Sequence, residues 1–318
     1  MISTVVGSYP PLKQNPSNLK NKILNMMGLY DCYKIAIEHV VTKQITAGID
    51  IISDGQVRDN MVKITANKIF GYEFEGNISK INSKLRSKSS VPDTGDLKYA
   101  INVMNRKFDE LNLSKKERKK KGIKGLITGP NTMIHSSTIE NKVYKRKEDA
   151  ILDLSEVLIA EARSLEIEGV KMIQIDEPFL STGLVDMEIA KESINLISKS
   201  VNVPLALHCC GDISNVLKNL IDFNVDILDF EFAGSKNNLN VIKDYSDDLN
   251  KIGLGCIDTK NQKVESINEI TTIIEEGINI LGSENLYIDP DCGMRILPDE
   301  IAFSKLKNMV DAMKSIKS

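Results

Sequence analysis

Apolar residues in this chain form short continuous runs. Between them lie longer stretches in which apolar positions recur every three or four residues. The first run, ISTVVGSYP, ends at Gly7-Ser8. A polar approach then leads into a helical pattern over 24–47 that stops at Gly48, and IDIISDG (49–55) is the second run, with 57–69 reading as helix. From 125 onward the alternation is regular. Runs occur at 125–130, 170–178, 203–211, 225–234, 251–258 and 284–293, with helical patterns at 147–168, 185–199, 213–221, 237–244, 264–280 and 299–316. Runs without polar alternation mark strands buried on both faces, as in parallel sheets. About eight such strand–helix units predict an α/β fold, a single (β/α)8 TIM barrel covering 1–318 as one catalytic domain. A doubly wound open sheet is the alternative, but no GxGxxG follows any run, which counts against a dinucleotide-binding version. Residues 70–123 interrupt the pattern. GYEFEGN reads as an edge strand, SKLRSKSSVPDTGD as a loop and 97–121 as a charged helix, together an insertion too poor in apolar residues for a core of its own.

Composition narrows the class. The 318 residues are 42% hydrophobic and 27% charged, with a net charge of -3. This is an ordinary globular balance that gives no reason to expect a nucleic-acid or membrane partner. No run approaches the roughly 20 apolar residues of a spanning helix. MISTVVGSYPP has neither the basic start nor the apolar centre of a secretion signal, so a cytoplasmic setting is expected. Five cysteines (Cys32, Cys209, Cys210, Cys256, Cys292) are too scattered for a disulfide framework and read as core residues or metal ligands.

In a TIM barrel the active site forms at the C-terminal strand ends. Here those ends carry Gly7-Ser8, Asp54-Gly55-Gln56, Thr128-Gly129-Pro130-Asn131, Asp176-Glu177-Pro178, His208-Cys209-Cys210, Asp229-Phe230-Glu231, Asp258 and Asp289-Pro290-Asp291-Cys292. Alternation along a strand points His208 and Cys210 the same way and Cys209 the other. An imidazole and a thiolate aimed together are two zinc ligands, and Glu231 and Cys292 at other strand ends are available to complete a tetrahedral N, S, O, S set. Plainer roles exist for each. Cys292 would serve as a small packing residue and Glu231 as the partner of a nearby Lys. Cys209 and Cys256 read as core. His39 reads as a surface or packed helix residue, and His135 lies at the barrel mouth without a motif. The basic run KKERKKKGIK (115–124) is a solvated face, or else a dock for an acidic protein.

Taken together, VVGSYP, GIDIISDGQVRDNMV, ITGPNTM, IQIDEP, LHCCGD, DFEFAGS and IDPDCGMR resemble the C-terminal catalytic barrel of the cobalamin-independent methionine synthase family, in the family's order and over nearly the whole chain. The resemblance implies a TIM-barrel methyltransferase that moves a methyl group to the thiol of L-homocysteine, with His208, Cys210, Glu231 and Cys292 as zinc ligands. The zinc-bound substrate thiolate would be the nucleophile, with no separate protein nucleophile. An ammonium group calls for a carboxylate, and Asp176 is the first choice. Ser8 would take the substrate carboxylate and Gln56 would hydrogen-bond the amino group. The chain departs from the family's two-barrel members. It has no Trp, with Ser136 near the place of the folate-stacking Trp; Gln56 replaces a Glu, and Lys260 falls near the place of a His. These departures point to the short single-barrel form, for which a methylated corrinoid (free methylcobalamin or a methyl-corrinoid protein) is the expected donor. Methyl-tetrahydrofolate is the alternative donor, and another thiol such as coenzyme M the alternative acceptor.

Overall fold

The computed structural model describes residues 1–12, 19–27, 30–76, 78–140 and 143–316. Its elements are, in chain order, β1 (Ile2–Ser3), α1 (Leu19–Met26), α2 (Cys32–Ala47), β2 (Ile51–Ile52), α3 (Met61–Ala66), β3 (Ile69–Glu75), β4 (Ile78–Ser87), α4 (Gly95–Glu110), α5 (Lys115–Lys120), β5 (Gly122–Thr128), α6 (Pro130–His135), β6 (Ser137–Ile139), α7 (Lys147–Ile167), β7 (Met172–Asp176), α8 (Met187–Ser198), β8 (Leu205–Cys209), α9 (Leu217–Leu220), β9 (Ile227–Glu231), α10 (Asn237–Asp244), β10 (Lys251–Gly255), α11 (Ile267–Leu281), β11 (Leu286–Asp289) and α12 (Asp299–Ser315).

Eight strands hydrogen-bond in the order β1-β11-β10-β9-β8-β7-β5-β2. A parallel bridge between Thr4 and Ile51 closes the ring. The fold is therefore the (β/α)8 barrel expected from the eight apolar runs. β7, β8 and β9 are buried at every position, as strands covered by helices outside and by packed side chains inside must be. One register row matters for the site: Asp176 pairs with His208, His208 with Asp229, and Asp229 with Gly253. Among the described residues no helix is long and apolar enough to cross a membrane.

The structure differs from the sequence reading mainly before residue 125. The single helix expected over 24–47 is two, α1 and α2; Asp31 caps the second by accepting from Tyr33 N, and Gly48 (φ 99) ends it. Residues 28 and 29 between them, and residues 13–18 of the polar approach, lie outside the described residues. The helix expected over 57–69 is only α3, capped by Asn60. Most of the expected loop SKLRSK belongs to β4, which forms an antiparallel hairpin with β3 and a parallel pair with β6. Ile81 and Leu85, buried on one face of β4, drive that strand. The expected helix over 97–121 breaks at Asn112, which has positive φ. It restarts as α5 behind the Ser114–Glu117 capping box. α4 buries Leu97, Ala100, Val103 and Phe108, so it belongs to the barrel wall, and the insertion is the hairpin alone. Lys124, grouped above with the basic run, sits in β5 at 1% exposure and donates to Gln174 Oε1 at 2.6 Å.

Candidate metal centre and substrate pocket

His208 is the fourth residue of β8, and Cys210 follows the strand's end. Cys292 follows β11, three strands further round the ring. The barrel brings one ligand atom from each of these residues within 4.8 Å of the others. Neither ring nitrogen of His208 has a hydrogen-bond partner. Nδ1 lies 3.4 Å from Asp229 Oδ2, which leaves Nε2 for the sulfurs. A hydrogen bond from Cys210 chiefly pulls the Cys292 thiol down to about 4, and the same contact pushes the Cys210 thiol up. Two adjacent sulfurs beside a buried imidazole nitrogen that lacks a hydrogen-bond partner are a soft donor set. Those residues fit a thiophilic divalent cation such as zinc.

Glu231 stands apart from that group. It is buried, and its Oε2 accepts from Lys260 Nζ at 2.9 Å and from Ser235 Oγ at 3.2 Å. The Lys partner weighed for it above is thus present, supplied by the residue at the place of the family's His. The loop after β9 is tied down by Asp291, which the sequence reading gave no role. It accepts from the backbone N–H groups of Phe232, Ala233 and Gly234 at 3.0, 3.0 and 2.6 Å. Because Asp291 directly precedes Cys292, one carboxylate fixes the approach of both Glu231 and Cys292.

Of the three residues assigned to the amino acid substrate, Asp176 pairs in register with His208 and Ser8 lies beside the glycine that follows Cys292, whereas Gln56 is tied to Asp54 and Arg295. A Cβ on Gly293 would lie 2.1 Å from Ser8 Oγ, so the glycine after Cys292 makes room for that hydroxyl. Gln56 holds a positive φ of 46°. Its N–H donates to Asp54 Oδ1 at 2.9 Å and its carbonyl accepts from Arg295 Nη1 at 2.7 Å. Arg295 was also missed in the sequence, although it closes the IDPDCGMR segment. Asp176 is 4% exposed, and burial pushes its carboxyl up to about 6. Gln174 Nε2 donates to it at 2.7 Å and Lys124 stands behind Gln174, so a buried lysine supports the carboxylate at one remove.

Other strand-end residues have structural work. Glu177 accepts from Asn131 N, Asn131 Nδ2, Thr132 N and Thr132 Oγ1 at 2.7–2.9 Å, clamping the start of α6. Ser136 caps the end of α6, His135 stacks on Phe179, and His39 pairs with Asp299 at 2.8 Å. Cys209 and Cys256 are fully buried. A cavity of about 510 Å³ opens beside Gln56, lined by Asp54, Lys68, Lys88, Asp96 and Leu126 among others; none of the three converging metal-type residues lines it.

A barrel whose strand ends carry a thiol–imidazole cluster and buried carboxylates has the layout of a barrel enzyme with a candidate metal site among its strand ends. Residues 1–315 match the family model described as the catalytic domain of cobalamin-independent synthase. The chain belongs to that family and is a methyltransferase of the methionine-synthase type. Over 313 residues it is 47% identical to the methionine synthase of Methanothermobacter thermautotrophicus, covering 98% of this chain and 99% of the relative. It is 43% identical to that of Methanocaldococcus jannaschii over the full length of both. Among solved structures, a B12-independent methionine synthase from Shewanella sp. in complex with selenomethionine shares the fold. It has a TM-score of 0.78 at 20% identity, over 98% of this chain and 96% of that one. The family's description as cobalamin-independent does not support the corrinoid donor expected from the sequence.

Proposed function

We propose that this chain methylates the thiol of L-homocysteine to give L-methionine, with zinc held by His208, Cys210 and Cys292. Glu231, tied to Lys260, is the candidate fourth donor. The observation that carries the proposal is the convergence of those three donor atoms within 4.8 Å. Zinc, when bound, would lower the pKa of the acceptor thiol, which is near 8.5 when free, and so supply a thiolate at neutral pH.

The chain's own residues do the rest. Asp176, buried and backed by the Lys124–Gln174 pair, receives the substrate ammonium. Ser8 Oγ, in the space left by Gly293, hydrogen-bonds the substrate carboxylate. Gln56, its backbone fixed by Asp54 and Arg295, orients the amino group. Holding both ends of the amino acid places the sulfur at the strand-end cluster, and orientation of this kind removes much of the entropic barrier to a two-substrate reaction. An acceptor without an ammonium group would leave Asp176 an uncompensated buried carboxylate, which favours homocysteine over coenzyme M.

Methyl-tetrahydrofolate is the proposed donor, on the family's description. The missing Trp, Gln56, Ser136 and Lys260 mean that its ring system is held differently from the pattern expected of the larger enzymes. Residues 1–318 are proposed to act as one catalytic domain, since one large apolar cluster joins the outward faces of the strands to the helices around a smaller cluster of Ile51, Met172, Ala206 and Ile227. A reducing, cytoplasmic setting accords with five unpaired cysteines. The test is methionine formation by zinc-loaded protein with homocysteine and, in parallel, methyl-tetrahydrofolate triglutamate or methylcobalamin. Methionine from the folate supports the proposal. Methionine from methylcobalamin alone overturns the donor, and none from either overturns the reaction.

A further inference from the structure

From the register of the barrel we infer that Asp229 is the positioning residue of the metal centre. It holds the Nδ1 side of His208 so that Nε2 meets the metal. The inference rests on the proposed zinc site and adds to it a residue that touches neither metal nor substrate.

Three observations carry it. His208 and Asp229 are register partners on the parallel strands β8 and β9. Partners in one row of a barrel point side by side into the interior, so the backbone itself delivers the carboxylate to the imidazole. The two side chains are each 3% exposed with 3.4 Å between Nδ1 and Oδ2, and His208 Nδ1 has no hydrogen-bond partner among the described residues. On its other side, Asp229 pairs in register with Gly253. A Cβ there would lie 2.6 Å from Asp229 Cγ and 2.7 Å from Oδ1. Any side chain at 253 would push the carboxylate out of its row, so the glycine reserves the space.

Among the described residues the one basic group paired with the buried Asp229 carboxylate is the His208 imidazole, and such a carboxylate is costly unless something uses its charge. A metal-bound imidazole does. Coordination through Nε2 fixes the proton on Nδ1, and a carboxylate facing that N–H locks the tautomer, the ring angle and the basicity of the ligand. Asp289, near Asp229 in the same interior, also has a partnerless buried oxygen, but it does not reach His208. The positioning role therefore falls to Asp229.

The experiment measures zinc affinity of the full chain by competition with a chromophoric chelator, for wild type and Asp229→Asn. It is paired with nitrogen-15 NMR of the imidazoles in the zinc-loaded wild type, where three histidines make assignment tractable. The expected results are a 10- to 100-fold loss of affinity in D229N and a downfield, exchange-protected Nδ1 proton on His208 in the wild type. Gly253→Ala should weaken zinc by a similar factor while Asp229 remains in the sequence. D229N affinity within about twofold of wild type, or an unprotonated His208 Nδ1 in the wild type, overturns the inference. The NMR result stands even if D229N fails to fold. A wild type that binds no zinc sinks the metal site itself, a failure distinct from a wild type that binds zinc as tightly as D229N does.

Discussion

Replacing Glu177 with Gln tests whether this buried carboxylate is a clamp or part of the chemistry. Its two oxygens accept four hydrogen bonds, two from Asn131 and two from Thr132. Glutamine retains one oxygen, which keeps the Asn131 pair. Its NH₂ then faces Thr132 N and Thr132 Oγ1. The hydroxyl can turn to accept, but the Thr132 N–H is left buried without a partner. An orphaned buried donor costs about 1–3 kcal/mol, and converting the surviving bonds from charge-assisted to neutral costs about 1 kcal/mol more. Part of this is offset because burial pushes the Glu177 carboxyl up, so the charge is itself disfavoured there. The net expectation is a loss of about 2 kcal/mol, or roughly 4 °C in Tm for a chain of this size. Urea and thermal unfolding followed by circular dichroism would measure it, with zinc affinity determined on the folded variant. Gly129→Ala should be worse, since its Cβ would lie 2.2 Å from Glu177 Cδ. An E177Q protein of unchanged stability and abolished zinc binding would refute the clamp and place Glu177 in the site.

Gly293→Ala puts a methyl group against Ser8 Oγ, so the KM for homocysteine should rise while zinc stoichiometry holds; loss of zinc with unchanged KM would contradict the placing of Ser8. Cys209→Ser should leave zinc content unchanged by metal analysis, because Cys209 faces the core. Zinc affinity should rise with pH through neutrality and above it, since His208 and both thiols bind metal only when deprotonated and the Cys210 thiol is pushed above its ordinary value. Isothermal titration in buffers of different ionisation enthalpy should show proton release on binding, and none would mean that other groups hold the metal.

The barrel was legible because its strands are continuous apolar runs that stop at chemical residues, and all eight runs contain ring strands. The hairpin was not, because Lys80, Asn82, Lys84 and Arg86, with Ser83 between Ile81 and Leu85, hide the period-two signal of those two buried residues. Asn112-Leu113-Ser114 hid in a charged stretch, although Ser114 and Glu117 spelled a readable helix start. At the site, strand alternation sufficed to align His208 with Cys210, whereas the Cys292 contact needed ring closure. Asp229 needed the register between neighbouring strands, which no single strand's pattern contains. Asp176 and Glu177 are adjacent carboxylates, and alternation alone says they face opposite ways without saying which faces the mouth. Lys124 looked like the end of a surface run, although it is the third residue of β5. The corrinoid donor was drawn from three departures in sequence, and the family's description weighs against it.

The most direct measurement is metal content and methionine formation, side by side, on wild type and Cys292→Ser. The three-residue cluster as the reaction centre requires stoichiometric zinc and turnover in the wild type, with both lost in a C292S protein of unchanged circular dichroism. A C292S protein that forms methionine at the wild-type rate after losing its zinc would contradict it.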